Sequence, residues 1–341
     1  MGLVSFGGLW FAMELLQGRP QTVVDFLRYH LRLLTTPDAG HGGPFFYHVV
    51  VLLVGVFPAS VFALAGLRRG EPEGALAVFR RWMLLLLGVV VAVFSIVETK
   101  ILHYSSLAYF PISFLAARYL HQTLDGHTAL PGGLRALGWG IGGLIGLALA
   151  AMPLFSHFKE DILAAGWIRD PFAAANLQAE VHWQGWEFLI GLVFLGAVSW
   201  FFAFPRPTLR QVRGLFVLSA LTVFAALSVL APRVEAVTQR AAIEFYESLQ
   251  GADAYVYPLG FKSYAHLFYT RKGPETALKG RPKEWLLSGA LDKPAFFVCK
   301  VHRLEKYLEA YPDLEVLGSR NGFVFLRRQP REAGSGQGEG R

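Results

Sequence analysis

Two short polar segments beside apolar runs hold most of the unusual polar side chains in this sequence. The first is residues 29–48, YHLRLLTTPDAGHGGPFFYH, with three histidines, two tyrosines, one arginine and one aspartate. The second is residues 98–104, ETKILHY, which places Glu98 and Lys100 at the end of a long apolar run. Charged groups this close to hydrocarbon are costly, so both segments are candidates for a functional site.

Phosphate binding is the chemistry that these residue types suit. Lys100 is a compact positive charge for a lipid-linked phosphate, and Tyr104 can donate a hydrogen bond to the same group. Arg32 offers a guanidinium that can hold phosphate through two hydrogen bonds. A structural role is also open: Glu98 and Lys100 can mark helix ends by snorkelling. Residues 29–48 can equally form a polar loop at the headgroup level with an aromatic belt.

Metal binding and the common catalytic motifs have weaker support. His30, His41 and His48 are 11 and 7 residues apart, which matches no standard zinc spacing. A divalent site that uses one or two of these histidines and is completed elsewhere stays open. The sequence has no nucleophile-elbow motif, no P-loop and no dinucleotide fingerprint.

The composition shows what must position these residues. Of 341 residues, 53% are hydrophobic and 17% are charged, whereas soluble domains carry roughly 25% charged residues. Residues 45–67 and 136–158 contain no Asp, Glu, Lys or Arg, and roughly 20 apolar residues suffice for a helix to cross a bilayer. We therefore expect an integral membrane protein rather than a soluble, disordered or coiled-coil chain. Its net charge of +7 fits basic cytoplasmic loops better than nucleic-acid binding.

Hydropathy predicts six full spans and an N-terminal partial one over residues 1–13. The six predicted spans are residues 45–67, 82–97, 104–117, 136–157, 187–205 and 214–231. If the loop 68–81 is cytoplasmic, the inner loops carry nine arginines and the outer loops carry six basic residues. This excess places the C-terminal part outside the cytoplasm.

After Pro232 the sequence pattern changes from long apolar runs to that of a small α/β domain. We expect a transmembrane domain over residues 1–231, a small extracytoplasmic α/β domain over 232–330 and a disordered tail over 331–341. In the α/β domain, residues 234–249 and 302–310 are predicted to be helical. Short strands are predicted at residues 254–257, 295–299 and 323–326. Cys299 lies within one of these strands as a buried structural residue, and a single cysteine excludes an intrachain disulfide.

Several motifs in order resemble one known family. The residues that carry the resemblance are His30-Leu31-Arg32, residues 41–47 (HGGPFFY), residues 100–104 (KILHY) followed by Tyr109-Phe110-Pro111, and in the C-terminal part residues 258–261 (PLGF) and 291–294 (LDKP). Together they resemble the lipid-carrier-dependent glycosyltransferases of the GT-C superfamily. The closer resemblance is to bacterial relatives of protein O-mannosyltransferases and of the aminoarabinose transferase that modifies lipid A. It covers the whole chain but only the C-terminal part of the family.

The resemblance implies a polytopic α-helical membrane protein with a small C-terminal α/β domain, located in the cell inner membrane. It implies an inverting glycosyltransferase that moves a hexose or pentose from a polyprenyl-phosphate carrier to an extracytoplasmic protein, lipid or glycan. The residues expected near the carrier phosphate are Arg32, Lys100, His103 and Tyr104. His30 is the candidate contact for a divalent metal cation, the one cofactor that stays open, or for the phosphate.

The resemblance also implies that the catalytic carboxylate lies in an N-terminal part of the family that this sequence does not contain. We therefore expect the chain to be inactive alone. A non-catalytic carrier-binding or partner subunit is the alternative function. A transporter is disfavoured, because transport predicts ionisable residues near the middle of spans, and the clearest spans here have none.

Overall fold

The computed structural model describes residues 2–37, 42–68, 70, 73–276, 278 and 281–330. His41 of the HGGPFFY motif and the predicted disordered tail at 331–341 lie outside these residues. The chain forms two compact units. The first comprises Met1–Leu147 and Leu192–Leu221, and the second comprises Ala148–Gly191 and Thr222–Arg341. Residues 148–191, which the sequence assigns to the membrane domain, are thus grouped with the C-terminal part.

Helices make up the regular structure in the described part of residues 2–248. They are α1 (Gly2–Leu16), α2 (Pro20–Thr35), α3 (Tyr47–Gly55), α4 (Ala59–Leu67), α5 (Ala75–Ile96), α6 (Tyr109–Leu124), α7 (Gly132–His157), α8 (Lys159–Ala164), α9 (Pro171–Leu177), α10 (Phe188–Ala203), α11 (Leu209–Ala225), α12 (Ala231–Thr238) and α13 (Arg240–Ser248). A 3₁₀ helix, Leu102–Ala108, precedes α6, and a π-helical turn, Ala226–Leu230, joins α11 to α12.

Within the described part of the chain, three helical runs are long and apolar enough to cross a membrane. They are α5, α7 and the continuous run Leu209–Thr238. The helices α3 and α4 meet the same test together as a pair bent by 118°, and α10 is apolar but 16 residues long. The protein is therefore membrane-embedded and helical.

Two predicted spans take a different form from a single straight helix. The predicted span 45–67 is broken between Gly55 and Ala59, where Pro58 lacks the N–H that a continuous helix needs. The predicted span 104–117 starts as a 3₁₀ helix and continues as α6, which extends to Leu124 and includes Arg118. Pro111 falls in the first turn of α6, where proline is tolerated because that N–H has no helical partner.

Close packing of α4 on α6 forms the centre of the first unit. A Cβ atom at Gly66 would lie 2.6 Å from the carbonyl oxygen of Leu115, so a larger residue does not fit there. Small residues allow this close approach in membrane helices, where packing rather than hydrophobic burial drives association. The surrounding core includes the buried residues Phe62, Tyr119 and Phe201.

The second unit contains a four-stranded sheet in the order β1-β2-β4-β3. Its strands are β1 (Tyr255–Leu259), β2 (Ala295–Lys300), β3 (Glu315–Arg320) and β4 (Phe323–Arg328), and its short helices are α14 (Ala265–Tyr269), α15 (Glu284–Ser288) and α16 (Leu304–Ala310). The strands β1 and β2 are parallel, whereas β4 is antiparallel to both of its neighbours. Cys299 is fully buried in this sheet, as predicted, and burial raises the pKa of its thiol to about 11.

The predicted helix 234–249 is not continuous. It divides into α12 and α13 at Gln239, whose backbone has left the helical region (φ −139°, ψ −19°). The helix α13 keeps the amphipathic character that the sequence suggests. Its Ala241, Ala242 and Tyr246 are buried against Val256 and Val298 of the sheet.

Candidate functional site

The end of α2 and the residues that follow α5 are joined by three hydrogen bonds. The Thr99 hydroxyl donates to the carbonyl of Thr36 at 2.9 Å. The backbone N–H groups of Glu98 and Thr99 donate to the carbonyls of Leu34 and Leu33, each at 3.2 Å. Carbonyls in the last turn of a helix have no partner within the helix, so these bonds satisfy groups that would otherwise need water. The two polar segments of the sequence therefore meet in the fold.

Lys100 lies at this meeting point and is almost completely buried, with 4% of its surface exposed. Its ammonium donates to the carbonyl oxygens of Ser95 at 2.6 Å and Phe94 at 3.1 Å. These carbonyls belong to the last turn of α5, where a cation interacts favourably with the helix dipole. The side chain of Lys100 thus caps carbonyls in the last turn of α5, in addition to any role in binding.

A glycine loop covers the stem of Lys100. A Cβ atom at Gly43 would lie 3.2 Å from Cγ of Lys100 and 3.2 Å from Cδ2 of Tyr47. Glycine therefore lets residues 42–44 approach the lysine closely before α3 begins. We call the three segments that converge here, residues 32–36, 42–48 and 97–105, the junction.

His48 is a member of the junction that the sequence named only as one of three histidines open to a divalent-metal site. It is fully buried, and its Nδ1 lies 3.1 Å from the hydroxyl of Ser105. Its Nε2 is buried and has no hydrogen-bond partner among the residues that the structure describes. The sequence indicates such a role only indirectly. His48 is a polar ring within the charge-free residues 45–67, and a buried polar ring needs a hydrogen-bond partner or a ligand.

Arg32 and His30 are on α2 and are exposed. The guanidinium carbon of Arg32 lies 5.1 Å from the ring centre of Tyr29. His30 Nδ1 is 2.8 Å from the carbonyl of Phe26. Because a carbonyl can only accept, Nδ1 carries the proton in this contact and Nε2 faces outward as an acceptor when the ring is neutral.

Tyr104 and His103 lie on the 3₁₀ helix that follows Lys100. The Tyr104 ring is half-buried, 5.5 Å from the ring of Phe94, whose carbonyl Lys100 binds. The exposed ring of His103 packs edge-on against Tyr104 at 5.3 Å. The structure therefore brings Lys100 and Tyr104 together on Phe94.

The residues that the structure describes do not supply a metal centre. They contain no group of three or more His, Cys, Asp or Glu side chains that could hold an ion. His30 is accordingly not part of such a set, and the metal contact stays a prediction.

A cavity within the first unit lies away from the junction. It measures about 840 Å³ and is lined by the end of α4, by Tyr119 and by the start of α7. Its ionisable lining groups are Arg68 and Tyr119. Buried polar atoms and a buried charge distinguish the junction from this cavity, so the junction is the candidate site.

Comparison with known proteins finds arabinosyl transferases among the sequence matches. No protein-family model matches the chain. The chain is 27% identical over 215 residues to undecaprenyl phosphate-alpha-4-amino-4-deoxy-L-arabinose arabinosyl transferase of Pectobacterium atrosepticum. The alignment covers 55% of this chain and 37% of that protein. The protein of the same name from Pectobacterium carotovorum is 26% identical over 208 residues, covering 53% and 37%.

A solved structure shares the fold. The crystal structure of ArnT from Cupriavidus metallidurans bound to undecaprenyl phosphate matches with a TM-score of 0.56 and 14% identity. That match covers 95% of this chain and 59% of the other. The chain thus spans little more than half of that structure and aligns with 37% of the curated relatives. The chain is thus similar in sequence to these arabinosyl transferases and similar in fold to ArnT.

Proposed function

We propose that the chain is part of an inner-membrane glycosyltransferase that moves a sugar from a polyprenyl-phosphate carrier to an extracytoplasmic acceptor. In this proposal the junction holds the carrier phosphate, and the second unit is extracytoplasmic. The observation that carries the proposal is the buried ammonium of Lys100 at the meeting point of the three segments. The relatives' names, which include undecaprenyl phosphate as the carrier of an amino sugar, favour this chemistry.

The charge of Lys100 is only partly offset by its present partners. An ammonium has three N–H groups, and two of them donate to the carbonyls of Ser95 and Phe94. Among the described residues, no carboxylate forms an ion pair with Lys100. A buried cation without a counter-ion is unfavourable, so a phosphate that accepts the third hydrogen would stabilise the site.

The same positive charge suits the chemistry of transfer. When the bond between the sugar and the carrier oxygen breaks, the departing phosphate gains negative charge. Lys100 is fixed by the end of α5, so its charge is oriented before the reaction begins, which is how electrostatic stabilisation acts. Arg32 at the end of α2 and the hydroxyl of Tyr104 supply further donors. The acceptor, and the carboxylate that would activate it, are not assigned to residues of this chain.

Binding of undecaprenyl phosphate and of the neutral alcohol undecaprenol to the purified protein tests the proposal. The wild-type protein should prefer the phosphate. Lys100→Met and Arg32→Gln should each weaken phosphate binding by about ten- to a hundredfold, because a hydrogen bond to a charged group contributes about 1.5–3 kcal/mol. Undecaprenol binding should change little in either variant.

Arg28→Gln is the matched control. Arg28 lies one turn before Arg32 on α2 and forms an exposed ion pair with Asp25. This variant should bind undecaprenyl phosphate like the wild type. Equal loss in all three variants, or an unchanged preference for the phosphate in Lys100→Met, would refute the junction as the phosphate site. Retained binding without transfer in a protein that contains the relatives' remaining length would favour the non-catalytic alternative.

A further inference from the structure

A second cavity in the protein has the features of a ligand site and is not used by the proposed transfer. It lies in the second unit, where β1 ends and α14 begins, and measures about 560 Å³. Ligand pockets commonly have volumes of 300–1,000 Å³ and combine apolar walls with a few directed polar groups. The lining includes Tyr257, Phe261, Ser263, Tyr264, His266 and Lys272.

A tight turn after α14 places Lys272 beside the sheet. Arg271 occupies the left-handed region with φ of 50°, which is uncommon for a residue other than glycine. The N–H of Lys272 then donates to the carbonyl of Leu267 at 3.2 Å. Lys272 Nζ in turn donates to the carbonyl of Val256 in β1 at 3.3 Å. The local fold thus holds the ammonium against the cavity.

Lys272 is half-buried and forms no ion pair with a carboxylate among the residues that the structure describes. Burial lowers the pKa of its ammonium to about 8, so the group is still largely charged at neutral pH. Glu275 borders a neighbouring cavity of about 120 Å³ that Lys272 also lines. The larger cavity has no Asp or Glu among its described lining residues. A cation in this position is available to an anion in the larger cavity.

His266 provides a second polar atom without a partner. The residue is 5% exposed, and its buried Nδ1 makes no hydrogen bond to any described residue. Burial, reinforced by the positive charge of Lys272, lowers the pKa of His266 to about 4, so its ring is neutral at pH 7. Buried polar atoms in native proteins nearly always have a partner, and an exception requires an explanation such as a missing ligand.

We propose that this cavity binds an anionic group, a phosphate or a carboxylate, through the ammonium of Lys272 and the imidazole of His266. Oxygens of the anion accept from Lys272 Nζ and from Nδ1 of His266 in the tautomer that carries its proton there. The cavity is larger than such a group, and the rings of Tyr257, Phe261 and Tyr264 line the remaining space. The anionic group therefore belongs to a larger molecule. A free phosphate or carboxylate would make the same hydrogen bonds, and the experiment below distinguishes the two sources.

Protection of Lys272 from acetylation tests the site on the full chain in detergent. The protein is treated briefly with acetic anhydride alone, with inorganic phosphate, with glucose 1-phosphate or with glucose, and each lysine is quantified by mass spectrometry. Both phosphate-bearing probes should slow acetylation of Lys272, and glucose should not. Stronger protection by glucose 1-phosphate than by inorganic phosphate at equal concentration would show that the site takes the group on a larger molecule. Lys306, exposed on α16, serves as the internal control and should react equally in all samples.

Substitutions give an independent measure by equilibrium binding of the same probes. Lys272→Met should weaken glucose 1-phosphate binding by about ten- to a hundredfold, the loss expected for one hydrogen bond to a charged group. Lys272→Arg should retain most of the affinity because it keeps the charge, and Lys306→Met should bind like the wild type. The proposal is overturned if neither phosphate probe protects Lys272, if glucose protects it equally well, or if a folded Lys272→Met variant binds the phosphates unchanged.

Discussion

The Thr99 hydroxyl and the Thr36 carbonyl, 63 residues apart in sequence, are joined by a hydrogen bond of 2.9 Å. This bond ties the residue that follows α2 to the residue that precedes Lys100. Thr99 is fully buried, which keeps water away from the contact. The uncharged side chain of Thr99 therefore helps to fix the position of the α2 end relative to the Lys100 ammonium, together with the two backbone hydrogen bonds between these segments.

Thr99→Val keeps the shape of this side chain and removes its donor. We expect a loss of about 1 kcal/mol in stability, the usual net contribution of one hydrogen bond. Undecaprenyl phosphate should bind up to about tenfold more weakly, because the end of α2 is held at the junction by one hydrogen bond fewer. Thr35→Val is the control, since the exposed Thr35 hydroxyl donates to carbonyls of its own helix, with no other hydrogen bond to the described residues. Equal effects of the two substitutions on binding would contradict this role.

The glycine loop gives a steric prediction at the same site. Gly43→Ala places a methyl group 3.2 Å from the stem of Lys100 and from the Tyr47 ring, a distance at which one of the neighbours must move. We expect weaker undecaprenyl phosphate binding with little change in the affinity for undecaprenol. Gly55→Ala is the matched substitution at a position where, outside its own stretch of helix, no described atom lies within 4 Å of the new atom. Binding measured for both variants distinguishes displacement of Lys100 from a general effect of losing a glycine.

Much of the secondary structure follows from local sequence patterns. The strands β1, β2 and β4 overlap the three predicted strands, because their apolar residues face the two buried sides of the sheet. The edge strand β3, EVLGSR, was not predicted, since its side chains are mostly exposed and lack an apolar alternation. The break at Gln239 was also missed, because amphipathic character alone does not show where one helix ends and the next begins.

The junction could be found only in part from the sequence. Residue types and the cost of charge near hydrocarbon marked Lys100 and Arg32 as candidates. Their surroundings were not predictable, because the partners of Lys100 and Thr99 are backbone carbonyls, which every residue carries. The sequence left two roles open for Lys100, marking a helix end and binding a phosphate. The two are compatible, since a lysine that caps the end of α5 is also positioned to meet a phosphate.

A buried ion pair in the second unit predicts a large effect on stability. Glu187 is fully buried and lies 2.7 Å from the guanidinium of Arg233, and it also accepts from the N–H groups of Gln184 and Gly185 at 2.9 Å. Arg233→Met leaves this carboxylate without its counter-ion, which costs about 3–5 kcal/mol in comparable buried pairs. Arg240→Met removes a cation from an exposed pair with Glu235 and should cost about 1 kcal/mol or less. Thermal unfolding in detergent compares the stability of the two variants. Similar losses of stability would show that burial of Glu187 does not determine how much the ion pair contributes.

We expect His266 to make the stability of the protein depend on pH. Its pKa is lowered to about 4 by burial and by the charge of Lys272, whereas the unfolded state has the ordinary value of 6.5. Between these values the unfolded chain binds more protons than the folded one, so stability falls as the pH decreases from 6.5 towards 4. The full loss is about 3 kcal/mol, since each pKa unit corresponds to about 1.4 kcal/mol. His266→Phe removes this proton uptake, so its unfolding temperature should decline less over that pH range than that of the wild type. Parallel declines in the two proteins would show that His266 is not the group responsible.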